Sequence, residues 1–212
     1  MTAQIGDSYK WNEREYQIVA ETAPLNFNPQ EYGMDPFGFC SACWRGYWCE
    51  FDINDKGLFL QNLYINNHSG NYPTLNGVSV SPITYHEGIS IGMHGEKDEK
   101  VLIEDHLGHR MYENVMLRIP YTGRIVVGRD FIDQYYIHMG FQRGWAYKEL
   151  REFSFEAGYL IETIDHSEEA KQMREEMAKN NKNPKRPEGE SIAKFVNKSF
   201  SLDYKDKAWW IR

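Results

Sequence analysis

An α+β fold, predominantly antiparallel β with a C-terminal helix, is what this sequence predicts, and three observations carry that expectation. Aromatic residues make up 15% of the 212 positions, with 14 Tyr, 11 Phe and 6 Trp, which suits half-buried strand surfaces better than helix bundles. Short runs of alternating apolar and polar residues are separated by Gly, Pro, Asn and Asp. At Ser167 the composition turns abruptly to acids, bases and amides. The expected organisation is a β-rich domain over 1–166, hairpins assembled into a sandwich or partly open barrel with one short internal helix. A C-terminal helix, linker and docking tail follow over 167–212.

The elements follow in chain order. Tyr9-Lys10-Trp11 and Tyr16-Gln17-Ile18 flank Asn12-Glu13-Arg14-Glu15 and read as a hairpin. Pro24, Pro29, Gly33, Pro36 and Gly38 mark the next segment as loop. Trp44 to Ile53 and Leu58 to Ile65, joined by Asn54-Asp55-Lys56-Gly57, form the clearest strand pair, because Gly57 supplies the conformational freedom that a turn of this length needs. Residues 66–114 hold only short apolar runs such as Val78-Ser79-Val80 and Ile89-Ser90-Ile91, so short strands and long loops are expected.

Val115 to Ile119 and Arg124 to Val127 form a second expected pair, joined through Pro120-Tyr121-Thr122-Gly123. Phe131, Ile132, Tyr135 and Tyr136 recur at helical spacing after Asp130 and predict a short amphipathic helix. Glu152 to Ile164 reads as a last hairpin, an echo of the one at 50–65: aromatic, one residue, apolar, a turn ending in Gly, then alternation. Duplication would give such an echo, and so would convergence of hairpins with similar loops, which is the favoured reading. Ser167-Glu168-Glu169 then caps a helix running to about Lys179, with Met173 and Met177 on one face. Pro184, Pro187 and Gly189 mark a linker or surface crossing, and the terminal Trp209-Trp210 pair is expected to dock on the sheet or on a partner.

Composition narrows the function classes. No apolar run approaches the roughly 20 residues that a membrane-spanning helix needs. The opening Met1 to Asp7 lacks a basic stretch followed by an apolar one, so no secretory signal is read. With only Cys40, Cys43 and Cys49 present, too few for a disulfide framework, a reducing cytoplasm is the expected compartment. A net charge of -7 opposes a broad footprint on nucleic acid, and the basic residues from Lys179 to Arg186 read as solvated charge.

Cys40-Ser41-Ala42-Cys43 has the C-x-x-C spacing of zinc knuckles and redox pairs, and His106 and His109 are candidate further ligands. Cysteines that are buried or incidental are the favoured reading, because the second C-x-x-C is missing and a β pattern follows where a redox motif wants a helix. His94, His106 and His109 lie among Glu96, Asp98, Glu99, Glu104 and Asp105 in a Gly-rich stretch, which reads as a solvated polar loop in the absence of fixed ligand spacing. There is no nucleophile elbow, no P-loop and no dinucleotide-binding glycine motif. No cofactor and no catalytic residue are therefore expected.

Aromatic and acidic side chains remain. Trp44, Arg45, Trp209 and Trp210 are residue types that dominate binding hot spots, and Glu96, Asp98, Glu99, Glu104 and Asp105 would steer a cationic partner. Core packing explains Trp44 equally well. The run Cys43-Trp44-Arg45-Gly46-Tyr47 into Phe51-Asp52-Ile53 and Leu58-Phe59-Leu60, with Tyr121-Thr122-Gly123-Arg124-Ile125 and the Phe153 to Ile164 hairpin, resembles small uncharacterised bacterial β-rich proteins of immunity or accessory type. That resemblance covers about a third of the chain, in short hairpin motifs, and implies no active site. The leading expectation is a non-enzymatic protein-binding protein, an immunity-type inhibitor of a basic toxin or nuclease. The alternatives are a metal-dependent enzyme or zinc-stabilised module using Cys40, Cys43, His106 and His109, and a structural component that self-associates through Trp209-Trp210.

Overall fold

The computed structural model describes residues 5–25, 27–38, 41–83, 85–90, 99–104, 109–137 and 140–179. The first hairpin forms where alternation placed it, as β1 (Ser8–Trp11) and β2 (Arg14–Glu21). Its two turn residues, Asn12 and Glu13, both take positive φ, 50° and 61°, the handedness that matches strand twist in a tight hairpin. After a single 3-10 turn at Pro29–Tyr32, β3 (Tyr47–Asn54) and β4 (Gly57–Ile65) make the second hairpin. β5 (Tyr85–Ser90) and β6 (Glu99–Glu104) pair with each other as a separate two-stranded ribbon. Three further strands are β7 (Arg110–Tyr112), β8 (Leu117–Arg118) and β9 (Gly123–Phe131). The last hairpin is β10 (Tyr147–Glu156) with β11 (Tyr159–Asp165), and α1 (Ser167–Lys179) follows it.

Nine strands join in one sheet, ordered β11-β10-β9-β2-β1-β3-β4-β7 with β8 also on β4. The sheet is mixed, because β1 pairs parallel to β3; its other described pairings are antiparallel. It does not close, yet the tips of its two outer hairpins meet: Leu58 N–H donates to the Gly158 carbonyl at 2.9 Å. A Cβ on Gly57 would run into that same carbonyl, so the contact requires glycine. Arg118 lies between the two hairpins, its guanidinium 4.8 Å from the Phe59 ring and 4.4 Å from that of Tyr159.

Strand alternation sorts side chains onto two faces. The inner face holds the main core, including Tyr9, Tyr16, Phe51, Leu60, Ile125, Val127 and Phe153. On the outer face Val19, Ala20, Val126, Leu150, Trp145 and Ala146 form a second cluster, capped by Ala170 with Met173 and Met177. The methionine stripe of α1 therefore faces the sheet, as its spacing predicts.

Three expectations are corrected. Val115 to Ile119 does not pair with Arg124 to Val127: β8 pairs with β4, while β9 pairs with β2 and β10. Pro120 lacks an N–H to continue a ladder, and buried Tyr121 sends its hydroxyl to the Ala23 and Arg124 carbonyls. The chain thus crosses from one part of the sheet to another. The helix expected over 131–136 is the end of β9 followed by one 3-10 turn at Asp133–Tyr135. Phe131 pairs with Tyr147 in the ladder, and Tyr135 packs edge-on to Trp145, so tertiary packing overrides the helical spacing. Val78-Ser79-Val80 is not a strand; Leu75 and Val78 form an isolated bridge.

The hairpin echo does not superpose residue for residue. Gly57 opens β4 opposite Asn54, whereas Gly158 is a turn residue between Glu156 and Tyr159. The linker and terminal Trp pair lie outside the described residues.

Candidate binding groove on the outer face

Beyond the part of the sheet covered by α1, the outer face is open, and side-chain size shapes it. Ser8 of β1 stands directly between Gln17 of β2 and Glu50 of β3. Small residues on one strand between larger ones on its neighbours leave a trough. It has a volume of about 490 Å³.

Two aromatic walls bound it. On the β3 side Trp48 stacks on Tyr64, centroids 4.8 Å apart and planes 10° from parallel, and the His109 ring packs 4.4 Å away. On the β2 and β9 side Tyr147 lies across Gly128, where a Cβ would collide with its ring, and its hydroxyl donates to Gln17 Oε1 at 2.9 Å. Phe131 meets Tyr147 edge-on at 5.3 Å and Tyr136 at 6.5 Å. Gln142 fixes the loop above by accepting the Ile137 N–H at 2.9 Å and donating to its carbonyl at 2.8 Å. Phe141, carried by this loop, reaches to 3.8 Å from a Cβ built on Gly6.

Every charged side chain among the described lining is acidic: Asp7, Glu15 and Glu50. Glu50 accepts a bond from Asn62 Nδ2 at 2.6 Å. Burial, then the charge and hydrogen bond of Glu50, push the Tyr64 hydroxyl pKa up. Asp7 accepts from Arg45 and, at 2.8 Å, from the Cys49 N–H. Burial opposes the charge on Arg45, but Asp7 outweighs it and holds the guanidinium protonated above its ordinary range. Lys10, the β1 residue after this point on the same face, turns instead to Glu13 at 3.1 Å. A low-dielectric cleft with carboxylates and aromatic walls favours a cation.

Near the same end of β1 sits a half-buried acid. Glu21 Oε2 accepts the Leu25 N–H at 3.2 Å. Burial, only partly offset by that bond, pushes its pKa from 4.5 up to about 7.

The residues expected from sequence to touch a partner are placed unevenly. Trp44 is 55% exposed, in the turn before β3. Arg45 lies beside it with its head group on Asp7 and over the Tyr47 ring at 4.5 Å. Glu99 opens β6 and Glu104 closes it, at the two ends of one strand of the ribbon. Glu96, Asp98, Asp105, Trp209 and Trp210 lie outside the described residues. So do Cys40 and His106 of the expected metal set.

Cys43 is buried and directs its Sγ to the Tyr47 carbonyl at 3.7 Å, while His109 packs on Trp48. Cys49 is buried, and burial pushes its thiol well up, with Asp7 adding to the rise, the opposite of a reactive cysteine. Among the described residues no three His, Cys, Asp or Glu side chains are grouped to hold a metal ion, and no helix is long and apolar enough to cross a membrane.

Sequence reasoning missed the groove itself. Ser8, Gln17, Trp48, Glu50 and Tyr147 are drawn from four strands, two of them more than 90 positions apart. The one local signal was small Ser8 set against the large Tyr9 and Trp11 on β1. Compared with protein-family models, curated proteins and solved structures, the chain matches none.

Proposed function

We propose that this protein is a non-enzymatic, cytoplasmic binding protein that holds a basic protein partner against its outer face, as an immunity-type inhibitor would cover the basic surface of a toxin or nuclease. One observation carries this reading: an open groove with aromatic walls whose described charged lining is wholly acidic. Complementary charge steers association and rejects like-charged partners, and the overall charge of -7 acts in the same sense. Exposed Trp44 supplies a hot-spot residue type beside the groove. The resemblance of the hairpin motifs to immunity and accessory proteins points the same way.

Native mass spectrometry of tagged protein captured from its own host's lysate at low salt tests the proposal. A stoichiometric basic protein is expected, released both by salt and by the charge-reversed variant Glu15→Lys with Glu50→Lys. Absence of any partner at low salt, or a partner that holds the reversed variant equally well, overturns it.

A further inference from the structure

Resting on the reading that the acidic groove is the binding surface, we propose that in the free protein it is occupied by a segment of the same chain, Lys205 to Arg212, which a basic partner displaces.

The helix delivers the chain to the groove wall. α1 runs back along β10: His166 N–H donates to the Leu150 carbonyl at its start, Arg174 donates to the Tyr147 and Trp145 carbonyls further on, and Met177 in its last turn packs on the cluster that holds Tyr147. Phe131 packs on that cluster too, and Tyr147 and Phe131 both line the groove. The chain therefore leaves α1 at Lys179 beside the groove wall. Residues 180–204 span at most about 80 Å, enough for the segment to reach any part of the groove. Tethering of this kind gives an effective concentration on the order of millimolar, so a weak intrinsic affinity suffices.

Segment and groove are complementary. Lys205, Lys207 and Arg212 bracket Trp209 and Trp210, joining cations to an aromatic pair that is costly to leave in water. The groove sets Glu15 and Glu50 among Trp48, Phe131, Tyr136 and Tyr147. The same complementarity runs through the whole chain: Lys and Arg outnumber Asp and Glu over 180–212, and the reverse holds over 1–179, so like charge does not hold the segment off. The cleft beside the first turns of α1 is a poorer host, because its lining sets Lys148, Lys171 and Arg174 against Asp165 and Glu168 and includes no aromatic residue. At about 490 Å³ the groove has the size of a cleft that takes a single ligand, which suits inserted side chains and not a folded element.

Zero-length carbodiimide cross-linking of the full chain, read by mass spectrometry, tests the proposal. Expected are amide links from Lys205 or Lys207 to Glu15 or Glu50, in a yield unchanged by dilution and within single chains when ¹⁴N- and ¹⁵N-labelled protein are mixed. Trp209→Ala with Trp210→Ala should lose most of these links. In ¹⁵N NMR spectra the same variant should shift the Ser8 and Gln17 amides and the Trp48 indole. Lys205→Glu with Lys207→Glu, which keeps the Trp pair, should shift the same signals and decides the matter if the Trp variant does not fold. No link to Glu15 or Glu50, links only between chains, which would make a second copy the occupant, or groove signals unmoved in both variants overturns the proposal.

Once a basic partner has been captured, it should bind the Trp variant about tenfold more tightly than wild type, because the groove no longer has to be vacated. Equal affinity sinks this proposal and leaves the binding reading standing. Links within the chain with no partner captured keep the segment in the groove and sink the partner reading instead.

Discussion

Over β9 and β10 the outer face of the sheet lies under α1; over β1 and β3 it is open. Both halves belong to one sheet and obey the same alternation, so the difference lies in what alternation exposes. Under the helix the outward residues are Val19, Val126 and Leu150, all buried against Trp145, Ala146 and Ala170. On the open half they are Ser8, Gln17, Glu50 and Asn62, with Trp48 and Tyr64 stacked on each other. The covered half is held by apolar burial, and the open half by ring stacking and hydrogen bonds that leave its carboxylates facing a cavity. One part of a single face is thus packed for stability while another is left open as a groove.

Acids show the same division. Beneath α1, fully buried Glu152 meets His166 Nε2 at 3.0 Å and Arg124 at 3.5 Å. Glu149, on the inner face of the same strand, takes Tyr16, Arg129 and Arg151, and these bonds hold its carboxyl below the usual range against the opposing effect of burial. Below the open half, Glu21 has a backbone N–H and a raised pKa instead.

The largest effect that would break this comparison is on the covered half. Leu150→Ala removes a fully buried side chain and should cost about 3 kcal/mol, read as a lower midpoint in urea with an unchanged slope. Next comes Glu21. Its folded pKa of about 7 exceeds the ordinary 4.5, so the folded state binds the proton more tightly. Stability should therefore be full below about pH 4.5 and fall as pH rises towards 7, by as much as about 3 kcal/mol at 1.36 kcal/mol per unit. Glu21→Gln, which keeps an acceptor for Leu25, should flatten that dependence; an equally steep profile in the variant would refute the assignment.

Smaller again is Arg174→Ala. Its guanidinium donates to the Trp145 and Tyr147 carbonyls at 3.1 and 2.7 Å, and losing both should cost about 1 to 2 kcal/mol in thermal or urea unfolding. Smallest is Glu15→Gln with Glu50→Gln on the open half, expected to stay within about 0.5 kcal/mol of wild type while capture of the proposed basic partner weakens. A large loss of stability there would mean that the open half is held together by its carboxylates after all.

Local pattern made much of this fold legible. The hairpins at Tyr9–Ile18, Phe51–Leu60 and Phe153–Ile164 form with turns near their expected places, and α1 runs from Ser167 to Lys179, because capping, alternation and turn chemistry act over a few residues. The failures came where partners are distant. Val115–Ile119 and Arg124–Val127 resemble a hairpin in sequence, but Leu58 takes the Ile119 N–H and Thr22 Oγ1 takes that of Arg124. Helical spacing at Phe131 and Tyr135 yielded to Tyr147 and Trp145. Of the expected contact residues, Trp44 and Arg45 are both exposed, and the Arg45 head group is drawn to Asp7, 38 positions away, a pairing no short-range pattern reveals.

The sequence by itself determined the strand-rich composition, the hairpins, the helix with its methionine face and the acidic charge, since each follows from neighbours within one turn or one strand. Only the tertiary structure decided that β1 would lie parallel to β3, and so that small Ser8 would stand between Gln17 and Glu50. Strand order is set by the burial of whole faces against one another, and that is the step which turns scattered acids and aromatics into a groove.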